Sequence, residues 1–153
     1  MGVAQKQADR PRLLLDVNVW IALLDDAHIH NATAHQLIAQ AGLKIASCAM
    51  VENGVLRVLN LPGYSKYAAP GFIAVRDKLR EIYAQIDCEH WDLGLSLIRS
   101  ESINWTRVMG HNQITDAYLL ALAIAQNGAL ATLDHRIALS AVHGAQQRHL
   151  VLL

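Results

Sequence analysis

Four acidic residues of this 153-residue chain stand where their neighbours suit a charge poorly. Asp16 interrupts LLLDVNVWIALL, the most apolar stretch of the N-terminal half. A lone carboxylate there carries a large desolvation cost unless it is paired or holds a cation. Glu52 lies in AMVENGVLRVL, Asp116 opens ITDAYLLALAIAQN, and Asp134 directly follows ALATL. Each alone has an ordinary explanation. Asp16 could cap the next helix, Glu52 and Asp116 could be first-turn acids favoured by a helix dipole, and Asp134 could be a turn residue. Together they form an oxygen-only donor set, which selects hard ions such as Mg²⁺ or Mn²⁺. One or two such ions suit phosphodiester hydrolysis: one activates water and the other stabilises the leaving oxygen, at a separation of roughly 3.5–4 Å.

The elements between the acids say whether they can meet. Arg12–Leu15 is a short apolar run ending at Asp16, and Val17–Leu24 starts a helix. Asp25–His30 is a polar loop, after which Asn31 caps a helix running to about Ala41, closed by Gly42. Lys44–Ser47 reads as a second strand and Ala49–Leu59 as a helix despite Gly54. Leu61–Gly71 holds Pro-containing turns, and Phe72–Ile86 is an amphipathic helix. Cys88–Trp91 is a third strand, and Asp92 caps a helix from Leu93 to about Arg99. Ile114–Asn127 is apolar nearly all round and therefore a buried helix, closed by Gly128. Ala129–Leu133 is a strand, Arg136–Val142 is helical, and His149–Leu153 is the last strand.

Short apolar strands alternating with helices predict an α/β fold, with a central parallel sheet covered by helices on both faces. Every strand of such a sheet ends on the same edge, and the helices that leave the strands begin there. Asp16 and Asp134 sit at strand ends, and Glu52 and Asp116 at helix starts. All four are thus expected on one rim, where open α/β folds place their sites. Close carboxylates raise each other's pKa unless cations neutralise them.

Composition bounds the rest. The length fits one domain, with residues 1–11 as a flexible N-terminal arm and 12–153 as the domain. Lys plus Arg equals Asp plus Glu at 13 each, which argues against a general nucleic-acid coat protein but not against a nuclease. Cys48 and Cys88 form no C-x-x-C and read as apolar fillers in a reduced compartment. The polar start is no signal peptide, and no apolar run approaches the ~20 residues of a membrane span, so a cytoplasmic protein is expected.

The segments LLLDVNVWIALL, VENGVLRVL, ITDAYLLALA and LATLD resemble, in that order, the four acidic motifs of PIN domains, and more narrowly those of VapC-type toxin ribonucleases. The resemblance runs from about Leu13 to Asp134. It implies a three-layer fold around a parallel sheet, and metal binding and catalysis by Asp16, Glu52, Asp116 and Asp134. Asn18, Thr115 and Thr132 match the polar positions that would orient acids or waters. The implied activity is Mg²⁺- or Mn²⁺-dependent endonuclease cleavage of RNA, often structured RNA such as tRNA. The implied partners are a small antitoxin, whose C-terminal segment fills the groove near the acids, and a second copy of the chain. Arg57, Arg107 and Arg136 are candidates for phosphate contact, although solvated surface arginine is the plainer reading of each.

Other features carry less. His28, His30 and His35 lack the i, i+4 pairing of a helical zinc motif and read as a solvated loop, and His111 as a loop or cap residue. A haloacid-dehalogenase-type phosphohydrolase needs a second Asp two residues after the first, and Asn18 stands there. A phosphoacceptor receiver needs a late Lys, and Lys78 is the last lysine. A PIN-like module that binds RNA or protein without cutting is the alternative, although such a module would usually have lost an acid.

Overall fold

The computed structural model describes residues 10–153. The N-terminal arm expected over residues 1–11 lies almost wholly outside the described residues. Five strands form one parallel sheet: β1 (Leu13–Leu15), β2 (Lys44–Ser47), β3 (Asp87–His90), β4 (Ala129–Thr132) and β5 (Leu150–Leu152). Their order is β3-β2-β1-β4-β5, with Leu13 opposite both Ile45 and Ala129, and Leu130 opposite Leu150. The α/β class and the parallel sheet flanked by helices are as the sequence predicts. This order has a consequence for the site. The chain winds outward from β1 in one direction through β2 and β3, then in the other through β4 and β5. The switch point lies between the carboxyl ends of β1 and β4, the place where open α/β folds put their binding crevice.

Five helices connect the strands: α1 (Val17–Leu24), α2 (Asn31–Ile38), α3 (Ala49–Leu59), α4 (Phe72–Gln85) and α5 (Gln113–Ala125). Helix α5 packs on β4 and β1, whereas α1 packs on α2 and α3, and α3 on α4. Ala117 through Ala123 of α5 are all buried, as its all-round apolarity requires. The core is mostly aliphatic, with Leu14, Leu15, Ile45, Leu119, Leu120 and Leu130 fully enclosed, as is Trp20.

Several element ends differ from the sequence reading. Helix α2 ends at Ile38, and Asn31 does not cap it: its side-chain amide donates instead to the carbonyls of Ala22 and Asp25, tying down the end of α1. No helix spans Leu93–Arg99. Ser96 makes a single turn there, its hydroxyl accepting from the Arg99 N–H and its carbonyl from the Ser100 N–H. Short polar side chains compete for backbone groups in this way and shorten helices. Arg136–Val142 keeps only a 3₁₀ turn at Leu139–Ala141. The Asp134 carboxylate captures the Arg136 N–H, and Val142 bridges to Ile103, so the segment's backbone groups are committed elsewhere. After α5 the left-handed residue is Asn127 (φ 55°), while Gly128 is needed for closeness: a Cβ there would lie 2.6 Å from the Arg12 carbonyl and 2.6 Å from the Trp91 ring.

Gly54 sets the approach of α3 to α1. A Cβ at this position would lie 2.7 Å from Cγ2 of Val17, the residue next to Asp16. Val17 is β-branched and stiff at χ1, so it yields poorly. Gly54→Ala is expected to lose about 1 kcal/mol net, overpacking of about 1–3 kcal/mol against a helix-propensity gain of about 1 kcal/mol. Thermal melting would read this as a drop of about 2–4 °C. An unchanged or higher Tm would show that α3 can retreat without loss.

Candidate active site

Asp16 follows β1 at the switch point and is 4% exposed. Its backbone is extended (φ −63°, ψ 157°), which lets it cap α1: Oδ1 accepts from the Val17 N–H at 2.7 Å. Oδ2 accepts from the Thr132 hydroxyl at 2.9 Å, and that hydroxyl oxygen accepts from the Asp134 N–H at 3.0 Å. One buried hydroxyl at the end of β4 thus links two of the acids. Burial pushes the Asp16 carboxyl above its ordinary range, the bonds from Thr132 and Val17 pull it back, and the charge of Asp134 raises it again.

Asp116 lies in the first turn of α5. Burial, then the charges of Asp16 and Asp134, push its pKa up to about 6. Asp134 goes the other way. Arg136 holds it below the usual carboxylate range by donating from Nε to Oδ1 and from a terminal nitrogen to Oδ2, both at 3.0 Å, and from its backbone N–H to Oδ1 at 2.8 Å. Asp116, Asp134 and Arg136 line a cavity of about 260 Å³ with Met109, Asn112 and Gln113.

Glu52, in the first turn of α3, stands apart from these three. Its Oε1 accepts from the Tyr83 hydroxyl at 3.2 Å and lies 3.5 Å from Nδ1 of His90, at the end of β3. The Tyr83 ring meets Trp20 edge-on at 5.5 Å, and burial followed by the Glu52 charge pushes its phenol well above the ordinary value. Glu52 borders a separate cleft of about 250 Å³ with Arg76, Arg80 and Tyr83. The structure therefore joins Asp16 to Asp134 through Thr132 and sets Asp134 beside Asp116 in one cavity, and keeps Glu52 with its own partners. Among the described residues, no group of three or more His, Cys, Asp or Glu side chains is drawn close enough to hold a metal ion.

A family model for the PIN domain matches residues 13–142. The chain belongs to the PIN-domain family. Within it, the chain stands with the VapC ribonucleases. It is 41% identical over 144 residues to ribonuclease VapC44 of Mycobacterium tuberculosis, covering 93% of this chain and 99% of that protein. It is 35% identical over 130 residues to ribonuclease VapC29 of the same organism, covering 82% and 88%. Among solved structures, VapBC2 from Rickettsia felis, bound to a DNA fragment from its promoter, overlays with a TM-score of 0.47 at 17% identity, over 80% of this chain and 87% of that one.

The PIN-domain match spans all four acids and the switch point between β1 and β4. Of the three accompanying polar residues expected from sequence, Thr132 is buried and bonded as described. Asn18 and Thr115 are exposed, with no side-chain hydrogen bond to an acid. Arg57 and Arg107 are exposed and away from both clefts, whereas Arg136 is in the site. His28 and His30 bond within their own loop, the His30 N–H donating to Nδ1 of His28. Cys48 is buried and Cys88 half-buried, both as free thiols. Sequence reasoning missed Tyr83 and His90. The rule that placed Asp16 would have found His90, since it too closes a parallel strand. Nothing local marks Tyr83, which reaches Glu52 from 31 residues away.

The donor types, though not their present spacing, suit a divalent ion. Among the described residues Asp16 has no salt-bridge partner, and Asp116 is raised by burial and then by its acidic neighbours, so a positive charge between them would relieve an unfavourable arrangement. The donors on offer are carboxylate oxygens, matched to a hard ion.

Proposed function

We propose that this PIN-domain protein is a metal-dependent endoribonuclease, the toxin of a toxin–antitoxin pair, acting on structured RNA such as tRNA. The observation that carries this reading is Asp16, buried at the switch point with a raised carboxyl and, among the described residues, no salt-bridge partner, joined through Thr132 to Asp134 and bearing with it on the charge of Asp116. The likeness to the VapC ribonucleases supports the RNA substrate. The antitoxin rests on the resemblance of the motifs and on the likeness to the VapC ribonucleases.

Asp16, Asp116 and Asp134 would hold Mg²⁺ or Mn²⁺, and Glu52 would have to leave Tyr83 and His90 to join them. The ion supplies Lewis acidity and neutralises charge that develops on the phosphate. Thr132 fixes the rotamer of Asp16, so its second oxygen keeps one direction. Tyr83 and His90 hold Glu52 at the other side of the rim. No covalent intermediate is needed if the ion, once bound, directs a water at the phosphate.

Cleavage of total tRNA by the purified protein with Mg²⁺ or Mn²⁺, beside Asp16→Asn, tests the reading. Discrete products from the wild type and none from the variant support it. No cleavage and no Mn²⁺ binding by the wild type would leave a non-catalytic binding module.

A further inference from the structure

Asp134 is already engaged. Both of its oxygens accept from the Arg136 guanidinium and one also from the Arg136 N–H. Such charge-assisted forks are among the stronger hydrogen bonds. The Arg136 side chain is 90% exposed and the Asp134 side chain 20%. The guanidinium therefore lies over the mouth of the cavity that Asp116 and Asp134 share, and no core contact fixes it there. Arg136 takes up three of the roughly four acceptor sites of the carboxylate, so it competes with an ion for Asp134, and a doubly charged ion would repel it.

We propose that Arg136 is an exchange residue: it holds Asp134 in the free protein, and when a divalent ion takes that carboxylate the released guanidinium turns to an RNA phosphate bordering the same cavity. The proposal rests on the ribonuclease reading for its second half only. A guanidinium fork fits phosphate as well as it fits carboxylate, so one double hydrogen bond replaces another. Rotation of an exposed side chain suffices, and the Arg136 N–H can keep Asp134 oriented throughout. Charge is balanced at both stages: the guanidinium offsets a carboxylate before the exchange, and the ion does so afterwards while the guanidinium offsets a phosphate.

Arg136→Gln separates the two halves. Mn²⁺ binding, titrated without RNA, is expected to tighten by about fivefold to tenfold, because a charge-assisted competitor is gone. Binding of labelled tRNA, measured on ice with brief incubation, is expected to match wild type in EDTA, where Arg136 is tied to Asp134. With Mn²⁺ it is expected to weaken by about fivefold to tenfold, with a salt slope shallower by about one phosphate contact. Arg136→Lys, which keeps the charge without the fork, should fall between. Unchanged or weaker Mn²⁺ binding in Arg136→Gln overturns the exchange, as does an equal loss of RNA affinity with and without Mn²⁺. If wild type cuts no RNA, the ribonuclease reading fails, while the Mn²⁺ titration still decides whether Arg136 competes for Asp134.

Discussion

Asp16→Asn is expected to slow RNA cleavage more than about a hundredfold while the protein stays folded. Residues that merely hydrogen-bond a metal ligand cost about 10–100-fold when changed, and Asp16 is proposed as a ligand itself. The fold should tolerate the change because asparagine keeps the shape and the Oδ1 acceptor of the Val17 N–H. Its amide would face Thr132, whose hydroxyl oxygen can accept from it as well as from Asp134. Asparagine also removes a carboxylate whose charge burial disfavours. The Tm in EDTA should accordingly hold or rise. Single-turnover rates and a thermal melt on the same sample check both halves. A rate within tenfold of wild type would remove Asp16 from the chemistry. A collapsed melt would make it a structural cap instead.

The metal-free protein should be more stable at pH 5 than at pH 7, and Asp116→Asn should flatten that slope. The folded state raises Asp116 from 3.8 to about 6, so between these values the native protein binds protons that the unfolded chain has released. Stability then falls as pH rises from about 4 to 6 and the loss is complete above. The raised carboxyl of Asp16 acts in the same direction. Asp134 acts oppositely, since its lowered carboxyl stabilises above about 4 and that contribution is lost only at lower pH. The window between pH 4 and 6 therefore reports the raised acids, opposed toward its upper end by His149, whose imidazole burial and Arg148 hold below the ordinary value. A shift of two units corresponds to roughly 3 kcal/mol, which solvent around the half-buried Asp116 cuts to about 1–2 kcal/mol. In EDTA at pH 7, Asp116→Asn should raise the Tm by about 3–6 °C. Saturating Mn²⁺ should raise the wild-type Tm, by about 2.7 kcal/mol of stability at a hundred times Kd, and should do less for the variant. Wild-type melts indifferent to pH, chelator and Mn²⁺ would show that the three acids do not share a field.

Much of this was legible in the sequence because it depends on local pattern and on direction. The apolar runs at Leu13–Leu15, Lys44–Ser47 and Ala129–Thr132 became strands, and the stretch around Asp116 became the buried helix. A parallel sheet then forces the ends of its strands to one edge, so Asp16 and Asp134 could be assigned to a rim before any contact was known. The sequence failed where side chains diverted backbone groups. Ser96 cut a helix to one turn, and Asp134 captured the start of the segment after β4.

What only the tertiary structure decided is which acids share a field. Spacing along the chain sets the edge of the sheet but not the distance along it. Asp16 and Asp134 leave adjacent strands, β1 and β4, and one hydroxyl, Thr132, joins them across 116 residues. Glu52 leaves by the helix after β2, on the other side of β1, and is claimed there by Tyr83 and His90. Strand order is set by packing between distant segments, and no local pattern of residues encodes it.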